Sequence, residues 1–170
     1  MTTKQIRFVE LSPATMEALL AEDLATARRE SGVELPELFV NDDSKWLWNY
    51  RLRQLEDDPT AARWIVRAAV SEPEGMVIGH GGYHGPPDEN GMVEVGYTVD
   101  EQYQRQGYAK AILTALIERA ATEPGVRVVR ASISPANAAS LATIAGFDFL
   151  EAGEQWDEED GLELLFERTV

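Results

Sequence analysis

One stretch constrains this chain more than any other. It runs VEVGYTVDEQYQRQGYAKAILTALIERAA from Val93. Val93, Val95, Tyr97 and Val99 alternate with Glu94, Gly96 and Thr98, which is the period of a β-strand. From Ala109 the period changes: Ala109, Ile112, Leu113, Leu116, Ile117 and Ala120 follow the i, i+3, i+4, i+7 stripe of an amphipathic helix. A short polar loop closing on Gly107 joins the two.

The first turn of a helix has N–H groups without intrahelical partners, and the helix dipole adds partial positive charge there. A glycine lets an anion approach the backbone closely, because no Cβ intervenes. Arg105 and Lys110 bracket the turn and can neutralise a diphosphate. On the loop alone, the alternative is an ordinary strand-loop-helix connection with a surface arginine.

The pattern Gln-x-x-Gly-x-Ala, carried by Gln104, Gly107 and Ala109, resembles the acetyl-CoA pyrophosphate loop of the GNAT superfamily of N-acetyltransferases. Within that superfamily the stretch EVGYTVDEQYQRQGYA is most similar to the branch holding the ribosomal-protein N-terminal acetyltransferases. The resemblance implies acetyl-CoA as co-substrate. It implies contacts to that co-substrate from Tyr97, Thr98, Val99, Gln104, Arg105, Gln106, Gly107, Tyr108, Ala109 and Lys110. Backbone groups of Tyr97 and Val99 are expected to pair with the pantetheine arm as a strand would. A second segment, Asn137-Ala138-Ala139-Ser140, matches the branch's Asn-x-x-Ser. Carried over, Asn137 holds the cofactor and Ser140 is the candidate donor to the departing thiolate. Read without the resemblance, Asn137 is a helix cap and Ser140 a helix surface residue.

Two departures from the family pattern stand out. Where the family ends its short helix with Gly-Phe, this chain has Asp148-Phe149, with a second Gly146-Phe147 two residues early. Asp tolerates the left-handed conformation such a terminus needs, so the alignment on Asp148 is retained. Many relatives place an acidic tyrosine four residues before that glycine, and here the position is Ile144. The acid is therefore Ser140, another group or water. The base candidate is Glu94, on the strand face that Gly96 and Thr98 leave open; Glu151, Glu154 and a water chain are the alternatives.

The remaining chain reads as strands near 6–11, 63–70, 76–83, 126–133, 149–156 and 162–166. One helix is expected from Pro13 to about Ser31, a broken helical region over 35–57, and a short helix over 138–147. The strands flanking Asn90-Gly91 form a hairpin within an antiparallel meander. The fold expected is α/β (α+β): a GNAT-type mixed, mostly antiparallel sheet of about seven strands flanked by helices, as a single domain over 1–170. Trp46, Trp48 and Tyr50 are packing residues or walls of an acceptor pocket. His80 and His84 sit on glycine-rich strand and turn, where metal-ligand convergence is not expected.

The 170 residues carry 30 acidic and 15 basic side chains, a net charge of −15, and no cysteine. The charge argues against nucleic acid and anionic membrane partners. It suits a cationic amine acceptor or simple solubility. The absence of cysteine removes disulfides, thiolate metal sites and a Cys nucleophile. No apolar stretch has membrane-spanning length, and the first ten residues lack a signal-peptide core, so a cytoplasmic location is expected. A homodimer is a state the sequence leaves open.

Overall fold

The structure is a computed structural model and describes residues 3–170. Met1 and Thr2, which open the N-terminal stretch and the domain expected over 1–170, lie outside the described residues.

Among the described residues seven strands form one sheet in the order β1-β2-β3-β4-β5-β7-β6. They are β1 (Gln5–Glu10), β2 (Arg67–Glu72), β3 (Met76–Tyr83), β4 (Met92–Val99), β5 (Val128–Ile133), β6 (Leu150–Asp157) and β7 (Gly161–Thr169). Every neighbouring pair is antiparallel except β4 and β5. The helices are α1 (Pro13–Leu20), α2 (Leu24–Ser31), α3 (Asp42–Asp57), α4 (Tyr108–Thr122) and α5 (Ala138–Ile144).

Two apolar layers cover the sheet. On one side α1, α3 and a 3-10 turn over Glu37–Val40 bury Met16, Leu19, Trp48 and Phe39 against Ala68 and Val70 of β2. On the other, Ile112, Leu113 and Leu116 of α4 pack against Val93 and Val95. Each fully buried branched side chain of this kind contributes about 1.5–3 kcal/mol, so α4 is held by its stripe.

Local chemistry moved several expected boundaries. The single N-terminal helix is two. Glu22 takes a left-handed φ of 57°, and the Asp23 side chain accepts the Thr26 N–H to start α2. Within the broken region over 35–57 the third helix begins at Asp42, where the Asn41 side chain accepts the Ser44 N–H. The strand expected from Arg63 starts at Arg67, after a 3-10 turn over Pro59–Arg63. The short helix stops at Ile144, three residues before Phe147.

The parallel pair matters most. β4 and β5 stay in register only over Met92–Glu94 against Val128–Arg130. Past Glu94 the two strands separate, leaving the far half of β4 with a free edge. The His84 N–H donates to the Glu94 carbonyl and the Asp100 N–H to the Ile78 carbonyl. Even-numbered β4 residues therefore turn their backbone toward β3, and Tyr97 and Val99 turn theirs toward the opening.

Candidate active site

The opening leads to the start of α4 and forms a cleft of about 670 Å³. Its walls include Tyr97, Thr98 and Val99 of β4, Gly107 and Ala109 at the helix start, and Ser140 of α5. Arg105 and Lys110 also line it.

The helix start is built to leave its N–H groups free. Gly107 is the N-cap with φ 88°, and among the described residues no side chain caps the turn. Arg105, two residues earlier, also holds a left-handed φ of 58°. Backbone of this kind is costly for a residue with a Cβ and recurs where a ligand must reach main-chain donors. Lys4 adds a cation that the sequence reading missed. Its ammonium lies 4.1 Å from the Tyr108 ring centroid, and its stem is the nearest group to Gly107. No local sequence signal marks Lys4; strand β1 brings it there from the far end of the sheet. Uncapped N–H groups, three cations and a free strand edge suit a phosphorylated ligand with a peptide-like arm.

The expected site residues divide by what their side chains do. Gln104 donates through Nε2 to the Val99 carbonyl at 3.1 Å, so it shapes the loop. Gln106 turns back to the Gln102 carbonyl at 3.0 Å and does not line the cleft. The Tyr108 ring is buried against Tyr103, so only its backbone is placed for a ligand. Asn137 lines the cleft and caps α5, accepting the Ser140 N–H at 3.1 Å. Asp148 adopts a left-handed φ of 60°, in the turn after α5 and four residues past the helix end at Ile144.

Tyr97 has a second feature, missed because only its backbone was considered. Burial pushes its phenol above the ordinary range, while the neighbouring hydroxyls of Thr143 and Ser140 act in the opposite direction. Three hydroxyls thus converge inside the cleft. Ile144 is buried in the core behind them.

Glu94 stands where β4 and β5 part, on the sheet face opposite α4. Ser132 of β5 donates to its Oε1. Its Oε2 lies 3.3 Å from His84 Nδ1. Burial disfavours its charge, but His84, Ser132 and Arg130 outweigh burial and hold the carboxyl below its usual range. Glu151 and Glu154 are on exposed β6, with β7 between that strand and β5. His80 packs edge-on against Phe39 and Trp48, away from His84. Among the described residues no helix is long and apolar enough to cross a membrane.

Residues 7–149 match the family model described as an acetyltransferase (GNAT) domain. A protein of Bacillus subtilis (strain 168), "Uncharacterized N-acetyltransferase YjdG", is 30% identical over 87 residues, covering 51% of this chain and 50% of that protein. The chain thus spans about half the length of this curated relative. A ribosomal-protein-S5-alanine acetyltransferase from Vibrio fischeri superposes with a TM-score of 0.63 at 17% identity, over 99% of this chain and 94% of that one. Mycobacterium smegmatis RimJ, solved with CoA-disulfide, superposes with a TM-score of 0.64 at 19% identity, over 97% and 82%. At these identities the two structures share the fold with this chain.

Proposed function

This chain belongs to the GNAT family of acetyltransferases, and from that premise we propose that it transfers the acetyl group of acetyl-CoA to a primary amine by direct attack in a ternary complex. The observation carrying this reading is the free edge of β4 ending at the uncapped start of α4. One continuous cleft offers strand-like partners for a pantetheine arm and N–H donors for a diphosphate.

In this reading Tyr97 and Val99 hold the arm through their backbone. Gly107, Tyr108, Ala109 and Lys110 donate main-chain N–H groups to the diphosphate, with Arg105, Lys110 and Lys4 supplying charge. Thr98 and Asn137 line the arm's path, and Gln104 keeps the loop in place. Gln106 contributes through the loop backbone alone. The amine nitrogen bonds to the thioester carbon, the carbon–sulfur bond breaks, and sulfur leaves with the electron pair. A proton must leave nitrogen and another must reach sulfur. The Glu94 side of the sheet serves the first transfer, and Ser140 with the Tyr97 hydroxyl serves the second.

The acceptor is an amine, either a protein N-terminus or a small molecule. The chain's net charge of −15 favours a cationic one. The proposal includes a cytoplasmic setting, with no nucleic acid partner. The alternative is a coenzyme-A-binding domain of the same fold without turnover. It is favoured by the absence of a tyrosine at Ile144.

The test is calorimetric binding of acetyl-CoA, followed by transfer to four probes: an N-terminal alanyl peptide, spermidine, glycine and kanamycin. Binding with transfer to at least one supports the enzyme. Binding with no transfer to any supports the binding domain, and absence of binding removes both.

A further inference from the structure

We propose that His84 takes the proton from the attacking amine, and that Glu94 is the residue that positions it. This rests on the acetyl-transfer reading above and refines the role of Glu94 within it.

His84 follows β3, and its backbone is fastened on both sides. Its N–H donates to the Glu94 carbonyl at 2.8 Å. Its own carbonyl accepts from Arg51 Nη1 at 3.0 Å and from Gln54 Nε2 at 2.7 Å, both on α3. The ring then has little freedom except rotation about its own bonds.

The ring is aimed by two further groups. Nδ1 faces Glu94 Oε2 at 3.3 Å. Nε2 lies over Gly96, only 2.8 Å from where a Cβ on that residue would stand. Gly96 is thus the position that allows an imidazole to lie across β4. Its opposite neighbour across the hairpin is Gly82, so the ring meets no side chain on either strand there.

Glu94 is held by Ser132 through its other oxygen. That contact bridges β4 and β5 just past their last paired residues, Glu94 and Arg130. The carboxylate is therefore engaged at both oxygens and has a side-chain exposure of 22%, against 49% for His84. Of the two, the imidazole is the group an amine can reach. An ionised Glu94 fixes the Nδ1–H tautomer and leaves the Nε2 lone pair available. This is the general arrangement in which a carboxylate orients a histidine base.

The location agrees with the chemistry. Gly96 immediately precedes Tyr97, whose backbone faces the cleft, and lies three residues from Val99, roughly 10 Å along the strand. An arm running from the start of α4 along the β4 edge reaches its end at this point. The amine approaches from the α3 face, opposite α4. Its nitrogen forms the carbon–nitrogen bond, the N–H proton passes to His84 Nε2, and the carbon–sulfur bond breaks. Sulfur takes its proton on the other face, from Ser140 or Tyr97. His84 then releases its proton to solvent, the donor hydroxyl takes one back from solvent, and the protein is restored.

The test compares wild type with His84→Ala, His84→Gln and Glu94→Gln, using acetyl-CoA and the fastest of the four amine probes. Thermal melts and acetyl-CoA affinity report whether each variant keeps the fold and the cofactor site. We expect kcat to fall about 10²–10⁴-fold in both His84 variants with acetyl-CoA affinity within twofold. Glu94→Gln is expected to lose less than either, and added imidazole should restore part of the rate to His84→Ala alone. The inference is overturned if a folded His84→Ala keeps its rate, or if Glu94→Gln costs as much as His84→Ala or more. It also falls if imidazole restores nothing while His84→Gln is fully active. A wild-type protein that transfers to none of the probes removes the acetyl-transfer reading itself, a result separable from any of these.

Discussion

The Gln104 side chain donates to the Val99 carbonyl at 3.1 Å, tying the loop before α4 to the last residue of β4. Val99 is one of the two residues whose backbone faces the cleft. The bond therefore sets the angle between the strand edge and the N–H groups at the helix start.

Replacing Gln104 with Leu removes that donor at similar size. A neutral hydrogen bond contributes about 0.5–1.5 kcal/mol net. Acetyl-CoA affinity should weaken about 3- to 10-fold by calorimetry, with the melting temperature lowered by no more than roughly 6 °C. Unaltered affinity would show that the loop keeps its shape without the bond.

Gly107→Trp puts a bulky side chain at the helix start. At φ 88° any residue with a Cβ is also strained, at about 1–2 kcal/mol. For a chain of this size 1 kcal/mol lowers the melting temperature by roughly 2–4 °C. Acetyl-CoA binding should disappear, while Gly107→Asn, which tolerates the left-handed region better, should melt nearer to wild type. A folded Gly107→Trp protein that still binds acetyl-CoA would move the phosphate site elsewhere.

The hydroxyl pair of Tyr97 and Ser140 predicts linked kinetics. A thiolate is a tolerable leaving group, so Tyr97→Phe and Ser140→Ala should each lower kcat about tenfold, or about 1.4 kcal/mol in the barrier. Because the two share one task, the double variant should lose much less than the product of the single losses. Losses that multiply in full would separate the two hydroxyls into independent roles.

His80 predicts how stability responds to acid. It is fully buried, and burial lowers its pKa from 6.5 to about 4. Between those values the unfolded chain binds the proton and the folded chain does not, so stability falls as pH drops through this window. The loss is on the order of 3 kcal/mol. Denaturant melts of His80→Phe should show a flatter pH dependence from pH 7 to 4 than wild type. An equally steep dependence would assign the acid sensitivity to the carboxylates.

Some of the site was legible in the residues alone and some was not. The Val93–Val99 alternation and the Ala109–Ala120 stripe marked strand and helix, and Gly107 marked the turn, because each signal spans only a few neighbours. Asp148 signalled its left-handed conformation in the same way, although it lies in the turn after α5 and not at the helix end. The break at Glu22 was missed because Met16, Leu19, Leu20 and Leu24 keep a helical period across it. Glu94 was noticed as a carboxylate beside small residues, but nothing within the strand indicated that both its oxygens would be engaged.

What the sequence determined by itself, then, is the strand, the turn and the helix at which the anion site is proposed. Periods of two and 3.6 and the freedom of glycine act locally and need no partner segment. The tertiary structure alone decided the rest. β7 lies between β5 and β6, and β4 leaves β5 after three paired residues. The parting of β4 and β5 brings Ser132 to Glu94 and Ser140 and Thr143 to Tyr97, and β1 at the opposite edge of the sheet brings Lys4 to Gly107. Such pairs join residues dozens of positions apart, and their meeting depends on how the whole sheet closes and twists. No pattern within one segment carries that information.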